Sequence, residues 1–329
     1  MRIVYMGTPE FAAIALDALV KEHDIVAVIT QPDKPQGRNR KLVPTPVKVK
    51  AQEYGIPVYQ PQKVRDEETV QTIREYHPDV IVVAAYGQIL PESILNIPAY
   101  GCINIHASLL PKYRGAAPIE RAILDGEQVT GVTTMYMEKG LDTGDMIDKV
   151  EVKIEAEDTG ATLHDKLAKA GANLIVKTLS QIQDGTAQRT KQDDTESCYA
   201  AMLTKEMGQI DFSRPADELE RLVRGLIPWP CAYTDIDGKN VKIYKASVVK
   251  MDDAYKKAVQ EKTEVSLAFA PGEIVEVTKK YIVIACGKDA LMIKNLQPEG
   301  KKAMDTAAYL NGNPLKTGMY AGRKEKFQR

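Results

Sequence analysis

Residues Asp79–Gly87 read DVIVVAAYG, an almost unbroken apolar run rich in β-branched side chains. A strand with one wet face alternates apolar and polar residues, so a run apolar on both faces belongs in a parallel sheet covered by helices. Two shorter runs precede it, RIVYM (Arg2–Met6) and IVAVIT (Ile25–Thr30), and a third short strand is expected in IPVYQ, residues 56–60. The segments between them read as helices. Thr8 and Pro9 fit an N-cap and a first helical position for a segment running to about Lys21. PVKVKAQEYG forms a short helix ending at Gly55, and residues 66–76 are helical in pattern. The β-α-β-α-β order implies an α/β fold on an open, doubly wound, mostly parallel sheet of Rossmann-like form.

Beyond Gly101 the pattern changes. TGVTTMYMEKG (Thr130–Gly140) and DMIDKVEVKI (Asp145–Ile154) are two strands joined by GLDTG, expected to pair antiparallel at the far edge of the sheet, and a helix from Thr159 to about Asp184 closes the domain. Residues 185–208 are polar with little periodicity, which marks a linker. The expected division is a catalytic domain at 1–189, a linker at 190–207 and a second domain at 208–329. In that last part the helix PADELERLVRGL precedes short strands at 232–237, 241–249, 272–277, 281–285 and 291–296, a spacing that suggests a small β-barrel.

The chain has 329 residues, 44% of them apolar and 27% charged, enough for about two domains with substantial cores. No apolar run approaches the roughly 20 residues that span a bilayer. The N-terminal MRIVYMGTPEF lacks the apolar stretch and cleavage site of a signal peptide, so a cytoplasmic location is expected. Cys102, Cys198, Cys231 and Cys286 are too scattered for a zinc site or disulfide framework and are expected as reduced thiols, with no metal. The net charge of −1 conceals an asymmetry. Residues 1–207 hold 23 Lys and Arg against 29 Asp and Glu, whereas 208–329 hold 21 against 16. A basic C-terminal part is a hint of a polyanionic partner.

A parallel sheet first suggests a dinucleotide, but the first βα turn reads GTPEF rather than G-x-G-x-x-G, which disfavours NAD. Ligands of such sheets bind outside the carboxyl ends of the strands. There GCINIHASLLPKYRGAAP (Gly101–Pro118) places Asn104 and His106 two apart on one strand, hence on one face. A satisfied core histidine and a turn asparagine would give the same pattern. The glycine- and carboxylate-rich turn Gly140–Asp145 decides for chemistry, because a carboxylate there can reach across the strand ends to His106. Asn, His and Asp together can carry acyl transfer without a covalent nucleophile. Amide and imidazolium donate to a tetrahedral oxyanion, and Asp orients the imidazole and helps to move protons. No G-x-S-x-G elbow is present, so a serine acyl-enzyme is not expected.

GCINIHASLLPKYRGAAPIERAI followed by GVTTMYMEKGLDTGDM resembles the signature of the formyl-tetrahydrofolate-dependent formyltransferases. QPDKPQGRNRKLVPTPVK, WPCAYTDIDGKNVKIYKA and LQPEGKKAM resemble the branch of that family acting on initiator methionyl-tRNA, and the likeness runs from Arg2 to about Met304. The resemblance implies a formyltransferase fold with an OB-like C-terminal barrel, and 10-formyltetrahydrofolate as the formyl donor. It also implies a monomer without membrane partners. It makes Asn104, His106 and Asp142 the catalytic set and assigns folate contacts to Ser108, Leu109, Leu110 and Pro111, with backbone near Gly87–Leu90, Gly87 and Leu90 included, and around Gly140–Asp145. Only Ala107, where some relatives have glycine, departs locally. The loop at 31–46, by composition a solvated surface loop, becomes a wedge at the tRNA acceptor end, with Arg38 its central cation and Lys41 a phosphate contact. Lys239, Lys242, Lys245, Lys250, Lys301 and Lys302 would face the tRNA backbone from the barrel, and Trp229 reads as a domain-packing residue. Two alternatives stay open: formyl transfer to an amino-sugar nucleotide, against which the basic loop speaks, and a catalytically idle RNA-binding protein, against which the intact Asn-His-Asp set speaks.

Overall fold

The structure is a computed structural model that describes residues 1–36, 41–263 and 269–322. The chain divides into two compact units. The first comprises Met1–Ile119, Gln128–Ile154 and Thr162–Ala201, and the second Glu120–Glu127, Glu155–Ala161 and the chain from Met202 onward.

The first unit is built on strands β1 (Arg2–Gly7), β2 (Asp24–Ile29), β3 (Lys34–Gln36), β4 (Lys41–Val43), β5 (Val58–Tyr59), β6 (Val80–Ala84), β7 (Cys102–His106), β8 (Arg114–Gly115), β9 (Val129–Tyr136), β10 (Met146–Lys153) and β11 (Tyr199–Ala200). Seven of these form one sheet in the order β10-β9-β7-β6-β1-β2-β5. The stretch from β5 to β7 is parallel, and β9 and β10 join antiparallel at the far edge. From β1 the chain runs outward to β2 and β5, then returns to place β6 and β7 on the other side. The order therefore reverses between β1 and β6, where doubly wound sheets open a crevice at the strand ends. Every residue of β6 and β7 is buried, as two-sided apolar runs require.

Helix α1 (Glu10–Leu19) starts differently from expectation. Pro9, not Thr8, is the N-cap, in extended conformation and without a side-chain cap. The Thr8 hydroxyl instead donates to the carbonyl of Tyr86 at 2.9 Å, which also accepts from Gln31 Nε2 at 3.2 Å. A buried carbonyl between the ends of β1, β2 and β6 needs donors more than the helix needs a cap. The long helix expected near Thr159 spans Gly160–Gln183. Gly171 within it faces the sheet, where an added Cβ would lie 3.0 Å from Ile105 and 3.4 Å from Val132. The helix thereby covers the Ile103 and Ile105 face of β7 and leaves Asn104 and His106 on the other.

Two stretches read as irregular are ordered by backbone pairing. β3 and β4 form a hairpin in which Lys34 pairs Val43 and Gln36 pairs Lys41. Residues 190–201, expected as linker, belong to the first unit. Thr190 and Met146 exchange two backbone hydrogen bonds of 2.9 Å, and β11 pairs in parallel with β8. Such pairings use main-chain groups alone, so the polar sequence carries no periodic sign of them.

The second unit holds an antiparallel sheet, β12 (Ala232–Ile236), β13 (Lys239–Val249), β16 (Ala290–Pro298), β15 (Ile282–Ala285) and β14 (Ile274–Val277), with β17 (Met304–Asp305) on β16. The segment 319–322 closes it. Ile274 N–H donates to Met319 at one edge, and Gly322 N–H donates to Asp235 at the other. The result is a small barrel whose core includes Val241, Ile243, Ile284, Leu291 and Leu296. Leu219, Leu222 and Val223 of the helix Ala216–Gly225 pack into the same core. A helix at Asp253–Thr263 was not foreseen, since Val259 is its one fully buried side chain among those described and it shows no apolar stripe. Among the described residues, no helix is long and apolar enough to cross a membrane.

Candidate active site

β7 delivers Asn104 and His106 to the carboxyl end of the sheet, 9% and 6% exposed respectively. The turn between β9 and β10 brings Asp142 to the same place. That turn doubles back tightly, because Asp142 adopts a left-handed φ of 53° and a Cβ on Gly144 would collide with the Tyr136 carbonyl. Few residues other than Gly, Asn and Asp tolerate such a φ, and it must be held by its surroundings.

Asp142 lies between the other two. Its Oδ1 accepts from Asn104 Nδ2 at 3.3 Å, and its Oδ2 is 3.6 Å from His106 Nδ1. The Gly115 N–H donates to Oδ2 at 2.9 Å. The other ring nitrogen of His106, Nε2, lies 2.9 Å from the Tyr113 carbonyl oxygen. A carbonyl only accepts, so Nε2 carries its proton and Nδ1 is the ring atom turned to the carboxylate. The Asn104 amide has a second N–H beyond the one engaged by Asp142, which suits it to donate to a reacting oxygen.

The stretch after His106 is held from within. The Ser108 hydroxyl donates to Lys112 O at 2.6 Å, and Thr133 Oγ1 donates to Ser108 O at 2.7 Å while accepting from Leu110 N at 3.1 Å. Leu110 is buried with Met135 and Met146, and the Leu109 side chain packs against Gly131. Lys149 Nζ donates to the Leu110 carbonyl, and burial pulls its ammonium below the ordinary lysine value. Ser108 and Leu110 thus shape the loop, while Leu109 and Pro111 are part-exposed. After β6, Gly87 adopts a φ of 90° and Leu90 lies in the core. Ile89 between them is 81% exposed. The Tyr86 hydroxyl is buried without a hydrogen-bond partner among the described residues, and burial pushes its phenol up to about 12.

Of the residues expected to meet tRNA, Lys41 is exposed on β4, whereas Arg38 lies outside the described residues. The root of that hairpin is fixed by Lys48, whose Nζ donates to Asp33 and Gln60 at 2.7 Å each. In the second unit Lys250 pairs with Asp289 at 2.7 Å, and Lys239 donates to Asn313 at 2.9 Å. Trp229 is not a core residue as expected: it is half-exposed, and its neighbours Leu226 and Cys231 take the buried positions. Sequence reasoning missed the backbone groups of Tyr113 and Gly115, together with Thr133 and Gln192. Main-chain partners leave no residue signature, and Gln192 sits in a stretch whose composition suggested a tether.

Residues 1–179 match the family described as formyl transferase, and residues 202–314 match the formyl transferase C-terminal domain. A curated methionyl-tRNA formyltransferase of Lachnospira eligens is 51% identical over 98% of this chain and 100% of its own length. Another, of Alkaliphilus metalliredigens, is 51% identical over 99% of each. A third, of Geobacter metallireducens, is 50% identical over 98% of this chain and 99% of its own. Among solved structures, the sugar 3N-formyl transferase WlaRD, in the presence of dTDP and 5-N-formyl-THF, superposes with a TM-score of 0.63 at 21% identity. The match covers 92% of this chain and 99% of that one. HypX from Aquifex aeolicus in complex with tetrahydrofolic acid gives 0.60 at 16% identity, over 99% of this chain and 51% of that one. At these identities the structures speak for the fold.

Proposed function

The chain belongs to the methionyl-tRNA formyltransferase family, and from that membership we propose how its residues carry the transfer. The reaction moves the formyl group of 10-formyltetrahydrofolate to the free α-amino group of methionine on initiator methionyl-tRNA. The amine attacks the formyl carbon, a C–N bond forms, and the carbonyl oxygen takes negative charge in a tetrahedral intermediate. Breaking the bond from carbon to N10 returns tetrahydrofolate. The amine gives up a proton and N10 takes one, so no proton is gained or lost overall.

The observation that carries the site assignment is the carboxylate of Asp142 lying 3.3 Å from Asn104 and 3.6 Å from His106. Asn104 Nδ2 and, with His106 as the doubly protonated imidazolium, its Nδ1 donate to the oxyanion from a site that excludes most water, where such donors are worth more than in solution. Asp142 keeps the imidazole turned and receives the amine proton, which then passes to N10. The formyl donor lies at the carboxyl ends of the strands, between the Gly87–Leu90 lip and the Leu109–Pro111 loop. Arg38 and Lys41 hold the acceptor end of the tRNA, and the basic barrel unit holds its backbone. The first unit is thus the catalytic domain and the second the tRNA-binding one. The reading includes a monomeric cytoplasmic enzyme.

The test is formyl transfer from 10-formyltetrahydrofolate to charged initiator tRNA beside transfer to an amino-sugar nucleotide. Turnover with the tRNA alone supports the reading. Turnover with the sugar nucleotide alone overturns it.

A further inference from the structure

Gln192 has no part in the chemistry above, yet it is buried, with 6% of its surface exposed. Its side-chain nitrogen donates to two backbone carbonyls of the catalytic turn, those of Asp142 and Gly144, each at 2.8 Å. Its side-chain oxygen accepts from Arg114 Nε at 3.0 Å, and Arg114 in turn donates to Asp194 at 2.8 Å. The guanidinium can only donate, so the amide is held with oxygen toward Arg114 and nitrogen toward the turn. Arg114 stands beside Gly115, whose N–H holds the Asp142 carboxylate. One short strand, β8, therefore grips Asp142 twice, at the carboxylate directly and at the main chain through Gln192.

We propose that Gln192, oriented by Arg114, is a positioning residue for formyl transfer. It fixes the left-handed main chain of Asp142 so that the carboxylate stays between Asn104 and His106. This rests on the reading that Asp142 works in the transfer. A displacement of about 1 Å in a working group costs on the order of a hundredfold in rate, so a main-chain clamp behind the carboxylate acts on turnover rather than on tRNA binding.

Gln192→Glu separates positioning from bulk. It keeps the size and a partner for Arg114, but an ionised carboxylate cannot donate to the two carbonyls. The experiment is single-turnover formylation of methionyl-tRNA, with melting temperature and the KM of both substrates. It compares wild type, Gln192→Glu, Gln192→Ala, Asp142→Ala and the double variants. Each Gln192 variant should lower the rate about 10- to 100-fold with the KM for methionyl-tRNA near wild type, and Gln192→Glu should melt within a few degrees of wild type. In the Asp142→Ala background the loss of Gln192 should cost less than about twofold, because nothing remains to be positioned. Equal losses in the two backgrounds, or wild-type rates in both single variants, overturn the proposal. A wild-type rate for Asp142→Ala overturns the reading of the site itself, a separate result. Should Gln192→Ala fail to fold, Gln192→Glu and its double variant supply the same comparison.

Discussion

The carbonyl oxygen of Tyr113 holds Nε2 of His106 at 2.9 Å, which commits one ring nitrogen to structure and leaves Nδ1, 3.6 Å from Asp142, as the one turned to the carboxylate and, in the proposed mechanism, to the chemistry. The two amide homologues of histidine tell these roles apart. In His106→Gln the side-chain nitrogen can take the place of Nε2 and keep the Tyr113 bond, while the Nδ1 function is lost. We expect its kcat to fall on the order of a hundredfold or more, with the fold retained. His106→Asn, whose nitrogen stands near the Nδ1 position, should keep more activity than His106→Gln. The reverse order would assign the chemistry to Nε2.

The thiols should differ sharply in reactivity. Burial pushes Cys102 and Cys286 each up to about 12, so both are neutral thiols at pH 8 and gain thiolate only as pH approaches that value. Cys231 is buried, and Cys198 is exposed. Iodoacetamide at pH 8 should therefore label Cys198 first, as peptide mass spectrometry would show. The Cys198 sulfur accepts from Tyr113 N–H at 3.2 Å, so the added group pushes on the residue that holds His106, and turnover should fall with labelling. Cys198→Ser, which keeps an acceptor there, should resist the inactivation. Labelling of Cys102 or Cys286 ahead of Cys198 would contradict this picture.

Much of this could be read from residue types. The two-sided apolar run at 80–84, the pairing of Asn104 with His106 and the glycine-framed Asp142 each carry their reason in the sequence, and each stands where a strand end or a left-handed turn requires it. Backbone contacts were not legible. Tyr113 and Gly115 act through a carbonyl and an N–H that any residue has, and Gln192 is placed by the pairing of Thr190 with Met146, far away in sequence. Barrel closure by residues 319–322 was missed for the same reason, since short bridges show no period of two.

The loop prediction separates tRNA from folate. Lys41→Ala and Arg38→Ala should each leave the melting temperature and the folate KM unchanged, because Lys41 is exposed and the proposed folate contacts include neither residue. A charge-assisted phosphate contact is worth roughly 1–3 kcal/mol, so kcat/KM for charged tRNA should fall about ten- to hundredfold for Arg38→Ala and less for Lys41→Ala. The losses should shrink as salt rises, as phosphate contacts do. An unchanged kcat/KM for both variants would return the hairpin to a plain surface loop.

The central claim is that the Asp142 carboxylate, between Asn104 and His106, does the proton work of formyl transfer, and one substitution tests it most directly. Asp142→Asn preserves shape but has a single acceptor oxygen where the structure uses two, and its amide cannot take a proton from the amine. The measurement is the single-turnover rate of formyl transfer from 10-formyltetrahydrofolate to initiator methionyl-tRNA, with both substrates saturating. The account predicts a fall on the order of a hundredfold or more for Asp142→Asn, with substrate binding near wild type. A rate within about threefold of wild type would contradict it, and would mean that the carboxylate is scaffolding rather than part of the reaction.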